Sequence, residues 1–136
     1  MKTMFVLITG LFLSLATRAQ DRWMVLLNTK ALLTANEEDT VKNVVKVDDL
    51  KKGSLMVTYH PGKVENERKR RIMIYDANDN ELYSKEAHNI AVPVDSLKKW
   101  RLMTPRIKIY TVPVLGEAGV NVRLRRVHLA TIVLED

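Results

Sequence analysis

Cysteine is absent from the 136-residue chain, so no disulfide staples the fold and no thiolate is present as nucleophile or metal ligand. Histidine is nearly as scarce. His60, His88 and His128 lie in separate stretches, and no two have ligand spacing. Zinc sites draw about three or four ligands from His, Cys and carboxylates, so the chain offers no zinc motif. Ser54, Ser84 and Ser96 stand in no nucleophile-elbow context, and carboxylates such as Glu37, Glu38 and Asp39 gather in turns rather than beside a histidine. No catalytic, metal or cofactor residue is assigned. The expectation is a non-enzymatic protein, with an undetected hydrolase as the least favoured alternative.

Long apolar runs are lacking too, apart from Met4 to Ala16 behind Lys2. A bilayer-spanning helix needs roughly 20 apolar residues, so this run reads as an export signal. Thr17 and Ala19 place the cut after Ala19, with Ala16 as the alternative. Residues 1–19 are then a signal peptide and residues 20–136 one domain. With no cysteine there is no lipid anchor at the cut, and the product is expected in the periplasm or secreted. The membrane enters only through the uncleaved signal. Two of the 22 basic residues, Lys2 and Arg18, and none of the 16 acidic ones fall in the signal, so removing it lowers the net charge from +6 to +4. That is not the charge density of a dedicated nucleic-acid binder.

What is present is a series of short runs rich in Val, Ile, Leu, Tyr and Thr, broken by polar or Pro/Gly residues, with no sustained helical period. The domain is expected to be all-β, with seven strands in a two-sheet antiparallel sandwich. They are Trp23–Leu33 (one kinked strand or two short ones), Thr40–Val47, Ser54–His60, Arg71–Tyr75, Glu81–Val94, Thr104–Leu115 and Val120–Leu134. Asp76-Ala77-Asn78-Asp79-Asn80 is turn chemistry and makes Arg71–Lys85 a hairpin. Pro93 and Pro113 lack an amide proton and mark edges or ends of pairing. In the last strand Val120, Val122 and Leu124 fall out of phase with Val127, Leu129, Thr131 and Val133, which predicts a bulge at Arg125-Arg126.

One phrase occurs twice. Val47-Asp48-Asp49-Leu50-Lys51-Lys52-Gly53-Ser54-Leu55-Met56 returns 47 residues later as Val94-Asp95-Ser96-Leu97-Lys98-Lys99-Trp100-Arg101-Leu102-Met103, with seven of ten positions identical. Two copies do not make a solenoid. Each reads as a joint in which Asp48 or Asp95 caps a one-turn helix, Leu50 or Leu97 plugs the sandwich, and the lysines stay in water. With these joints the strand order resembles an immunoglobulin-like or fibronectin-like sandwich, although the Cys-Trp-Cys set is missing. That resemblance implies a fold and no residue-level activity.

Three further patterns bear on function. Asp76, Asn78 and Asn80 open like a calcium loop, but Glu81 replaces the glycine and Ala87 the final glutamate that such a loop requires, so the stretch reads as a turn. Trp23 and Trp100 are expected to pack rather than to stack on sugars. Arg68, Lys69, Arg70 and Arg71 in one segment and Arg123, Arg125 and Arg126 in another form a candidate anion-binding patch if their strands are neighbours. The leading expectation is a protein-interaction module of the envelope or the secreted space, meeting an unidentified protein through an exposed edge or loop face. The alternative is a binder of anionic envelope polymer through the two arginine groups.

Overall fold

A computed structural model describes residues 21–48, 50–62, 69–114 and 125–134. The expected signal peptide and its cleavage sites lie outside the described residues, as do Arg68 and Arg123. Nine strands and one helix are described, mostly β and in two sheets: β1 Arg22–Leu27, β2 Lys30–Ala35, β3 Val44–Lys46, β4 Ser54–His60, β5 Arg70–Asp76, β6 Glu81–Glu86, β7 Asn89–Pro93, α1 Val94–Arg101, β8 Arg106–Pro113 and β9 Val127–Val133. The order in the four-stranded sheet is β2-β1-β4-β7 and in the five-stranded sheet β3-β9-β8-β5-β6.

Nine strands replace the expected seven because two expected strands are each divided. Trp23–Leu33 is a hairpin: Asn28, at φ 58, takes the left-handed turn that asparagine tolerates, and β2 folds back on β1. Glu81–Val94 separates at Ala87-His88 into β6, on the edge of one sheet, and β7, on the edge of the other. Pro93 therefore does sit on an edge strand. Pro113, by contrast, ends an interior strand, β8. The expected strand Thr40–Val47 shortens to β3, because Asp39 accepts from the Val41 and Lys42 amides and curls Thr40–Asn43 into a turn. The pairing is not wholly antiparallel, since β3 runs parallel to β9.

Alternation supplies the core. Trp23, Val25, Leu55, Val57, Tyr59, Ile90 and Val92 enter from the four-stranded sheet, and Ile72, Ile74, Ile107, Ile109, Ala130 and Ile132 from the five-stranded one. Each phrase carries the chain across this core. The first runs from β3 to β4 and the second from β7 to β8, in both cases between sheets. Leu50 (7% exposed) and Leu97 (0%) are the buried plugs. Burying a leucine is worth about 1.5–3 kcal/mol. Val94 N–H donates to the Gly53 carbonyl at 2.9 Å, tying the two joints together.

The joints differ in a way the repeat concealed. The second is a two-turn helix whose N-cap is Pro93 with no side-chain cap, so Asp95 lies in the first turn without capping it. The first copy forms no helix among its described residues, and Asp48 pairs with Lys46 at 3.6 Å. Gly53 stands where the second copy has Trp100. At φ +127 it opens the backbone so that Asn28 fits against it: Asn28 Nδ2 donates to the Lys52 carbonyl (3.1 Å) and Asn28 Oδ1 accepts from Ser54 N–H (3.0 Å). Trp100 instead extends the helix and is buried, which leaves Leu102 and Met103 in an exposed turn rather than in a new strand.

Strand β9 carries a bulge at Leu129, whereas the one expected at Arg125-Arg126 turns on Val120–Leu124, which lie outside the described residues. Tyr110 is opposite His128 and Ile109 opposite Ala130, so Leu129 is the extra residue. Its carbonyl accepts from the indole N–H of Trp23 in the opposite sheet at 2.8 Å. Trp23→Phe, which removes that donor from a buried acceptor, is expected to cost about 1–3 kcal/mol in urea unfolding. At Gly53 an added Cβ would lie 1.6 Å from Asn28 Oδ1. Gly53→Ala is therefore expected to cost at least about 1–3 kcal/mol by the same measurement, and a change below about 0.5 kcal/mol would show that the Asn28 lock is dispensable.

Candidate functional site

Of the described residues of the expected patch, Lys69, Arg70 and Arg71 lie at the start of β5, and Arg125 and Arg126 directly precede β9. Arg71 is in register with Val112 and Val127 with Thr111, so the two groups flank β8. They do not form one surface. Ile72 and Ile74 face the core, which places Arg70 on the inner side of β5 and Arg71 on the outer. Arg71 donates to Ser84 Oγ at 2.9 Å, and both Arg71 (3.9 Å) and Lys69 (3.8 Å) approach Glu86. Arg125 pairs with Glu38 at 2.6 Å and Arg126 with Asp79 at 3.2 Å. Arg70 alone among these has no carboxylate partner among the described residues; its Nε donates to Thr111 Oγ1 (3.1 Å) and its guanidinium lies 4.7 Å from the Tyr59 ring centroid.

Arg126 tops an aromatic cluster on the outer face of the five-stranded sheet. Its guanidinium carbon lies 4.4 Å from the Tyr110 ring centroid and 4.9 Å from that of Tyr75, and Tyr110 meets both Tyr75 and His128 edge to face at 5.7 Å. Burial raises the Tyr110 phenol above its ordinary pKa, so it stays protonated. His128 is buried, at 4% exposed. The Leu129 bulge brings His128 and Thr131 onto one face three residues apart, with His128 Nε2 at 2.8 Å from Thr131 Oγ1. Glu38 accepts from the His128 backbone N–H at 2.8 Å while holding Arg125, which closes part of the β9 edge that short β3 leaves open. This cluster orders β9. Thr131 is itself buried, and His128 Nδ1 has no hydrogen-bond partner among the described residues, so the carboxylate that orients the base in an acyl-transfer triad is not seen beside this pair.

The four-stranded sheet presents a different surface. Its outer positions form cross-strand rows, Thr34-Met24-Thr58-Asn89 and Ala31-Leu26-Met56-Ala91. Neither row contains a charged residue, in a chain of which 28% is Asp, Glu, Lys or Arg. Charges appear only beyond the rows, at Arg22 and Lys30. An antiparallel sheet with one solvated face ordinarily shows polar, often charged alternation there. Met56 is 40% exposed and Met24 and Leu26 are half-buried. Sequence reasoning passed over this face. Its signal was legible in Trp23-Met24-Val25-Leu26-Leu27 and Ser54-Leu55-Met56-Val57-Thr58, where both alternating sets lack charge, but the strands had to be paired before the rows appeared.

The remaining motifs settle into structural roles. Asp76 Oδ1 accepts from the Asn78 (2.8 Å) and Asn80 (2.9 Å) amides, and these bonds, that of Asn80 foremost, hold its carboxyl below the usual pKa. The would-be calcium loop is thus an Asx-type turn of the β5–β6 hairpin. Trp23 (2% exposed) and Trp100 (8%) are both buried, out of reach of a sugar face. Among the described residues no helix is long and apolar enough to cross a membrane. Comparison with protein-family models, curated proteins and solved structures finds no match for this chain.

His128 generates a prediction. Burial holds its imidazole below the ordinary pKa of 6.5, with Lys108 acting in the same direction and the Glu38 carboxylate opposing. Tyr110, which packs against it, and Arg126 above Tyr110 both have raised pKa values, so neither changes charge near pH 6. The unfolded chain therefore takes up the proton first, and stability present above pH 6.5 is lost as the pH falls through the lowered folded pKa. His128→Gln is expected to flatten this part of the profile in urea unfolding between about pH 8 and pH 5. An unchanged slope would mean that the imidazole takes up its proton at the same pH in the folded and the unfolded chain.

Proposed function

We propose that this chain is an exported, non-enzymatic interaction module of immunoglobulin-like topology that meets a partner protein through the outer face of its four-stranded sheet. The uncharged double row centred on Met24, Leu26, Met56 and Ala91 carries this reading. In a charge-rich domain, a sheet face left without charge is suited to cover by another apolar surface. Methionines at its centre adapt their shape to a partner. The rows end on edge strand β2 at Ala31 and Thr34, which are likewise uncharged. Export rests on Lys2 and the apolar run Met4 to Ala16.

The topology supports the immunoglobulin-like part. The order β1-β4-β7 against β6-β5-β8-β9 has the connections of such a sandwich, with α1 as the corner between β7 and β8 and β3 closing onto β9. The polymer-binding alternative loses support because Lys69, Arg71, Arg125 and Arg126 each have a carboxylate within 4 Å.

Site-specific photo-crosslinking in the native cell tests the reading. A photoreactive side chain at Met56 is expected to capture a discrete protein partner, and one at Lys85, on the opposite sheet, to give at least tenfold less of it. The double variant Met24→Lys/Met56→Lys is expected to fold, with both side chains on the solvent side, and to abolish capture by a third probe at Ala91. Equal capture from Lys85, or capture at Ala91 that survives both lysines, would sink this assignment.

A further inference from the structure

Where β6 passes the chain to β7, an open cleft of about 400 Å³ is lined by Lys69, Arg70, Glu86, Ala87 and His88. Its size falls in the range of small-ligand sites, roughly 300–1,000 Å³. The side chain that distinguishes it is Arg70. Its guanidinium is held at two points, by Nε–H donation to Thr111 Oγ1 (3.1 Å) and by the Tyr59 ring beneath it (4.7 Å). Both supports are themselves fixed. Thr111 is fully buried and its hydroxyl donates to the Arg71 carbonyl at 3.1 Å, so an oxygen lone pair is left to face Arg70. The Tyr59 hydroxyl donates to the Asp21 carboxylate, whose other oxygen accepts from Gly62 N–H at 2.8 Å. Burial, reinforced by the bond to Asp21, raises the Tyr59 phenol far above its ordinary pKa, so the ring stays neutral beneath the cation.

The terminal nitrogens of Arg70 have no hydrogen-bond or ion-pair partner among the described residues. Glu86, the one acid among the described residues lining the cleft, is shared between Lys69 (3.8 Å) and Arg71 (3.9 Å). Of the two cations that line the cleft, Lys69 approaches Glu86, and Arg70 is the one without a carboxylate partner among the described residues. An arginine serving only to discourage edge pairing needs no such support, since its value lies in being solvated and mobile. A guanidinium braced on Nε and on its face, lining a cleft with both terminal NH2 groups unused among the described residues, has the donors for bidentate oxyanion recognition.

We propose that this cleft is an oxyanion site in which the terminal nitrogens of Arg70 receive one carboxylate or phosphate group, with Lys69 adding charge at the rim. The site is separate from the apolar face of the preceding subsection and does not depend on it. A single braced fork in a cleft of this volume selects one anionic group on a small molecule or chain end, and not a polymer lying along the sheet.

Arginine side-chain ¹⁵N NMR of the whole chain at about 0.15 M salt, where long-range attraction is screened, tests the proposal. The probes are inorganic phosphate, acetate, and a short peptide with a free C-terminal carboxylate beside its C-terminal amide. A saturable shift of the Arg70 Nε–H signal is expected with phosphate or with the carboxylate probes, and none with the amide. Saturation at the lower concentration identifies which oxyanion the site prefers. Arg70→Lys, which keeps the charge and loses the fork, should weaken binding at least tenfold. Thr111→Val, which keeps Arg70 and removes its brace, should weaken it several-fold, and Arg125→Gln should leave it unchanged. Failure of every probe to saturate, binding retained in Arg70→Lys, or equal weakening by Arg125→Gln would overturn the proposal.

Discussion

The hydrogen bond from the Trp23 indole to the Leu129 carbonyl joins two residues 106 positions apart, one in each sheet. A bulge ordinarily leaves a backbone group outside the ladder, and in a buried strand that group has no water to turn to. Here the unpaired carbonyl belongs to the extra residue itself, and the donor comes through the core from β1. The bond therefore accounts for two things at once. It permits a bulge in β9, every residue of which after Val127 is buried, and it sets the spacing of the two sheets where Trp23 also stacks on Tyr59, with centroids 6.1 Å apart. Everything the bulge re-aims, including His128 onto Thr131, follows from it.

Around this clamp the joints close the sandwich. The repeat of Leu-Lys-Lys serves one mechanical need, a buried leucine where the chain changes sheets, and the differing residues decide how each crossing ends. Gly53 gives way to Asn28, so the first crossing turns at once into β4 and presses the β1–β2 turn against it. Trp100 fills space instead, so the second crossing continues as α1 until Thr104 receives it, with its N–H donating to the Trp100 carbonyl at 2.8 Å. One bond between the joints, Val94 to Gly53, keeps both crossings at the same end of β4.

How much of this was legible follows from the range of the forces involved. Alternation exposed β4, the β5–β6 hairpin and the inward faces, because period-two burial is local. The Leu50 and Leu97 plugs were visible because the phrase that holds them occurs twice. The break at Asn28 was legible as either a kink or a gap between two short strands, and only the pairing of β2 with β1 decides for the hairpin. The bulge at Leu129 was not legible, because Val127, Leu129, Thr131 and Val133 alternate in sequence and only the partner Tyr110 and the distant Trp23 fix where it falls. The helix in the second phrase was shortened in expectation because Asp95 looked like a cap, whereas Pro93 begins it. The arginines were counted correctly as a group, but their matching by Glu38, Asp79 and Glu86 depends on contacts far apart in sequence.

That matching separates the surfaces by the work their side chains still have to do. On the five-stranded sheet, Arg126 is spent on two tyrosines and Asp79, and Arg125 on the carboxylate that also caps the His128 amide. A partner binding there would have to replace bonds already made, at the desolvation cost that such pairs carry. The rows centred on Leu26 and Met56 have no such bonds to break, and cover by an apolar surface costs them little. At Arg70 the balance is different again, because the orientation has been fixed in advance and the terminal donors have not been used. Binding free energy is gained most readily where ordering has already occurred and polar groups remain unmatched. By that criterion the outer face of the four-stranded sheet is suited to a broad apolar contact and the Arg70 cleft to a small charged one, while the aromatic cluster under Arg126 belongs to the fold.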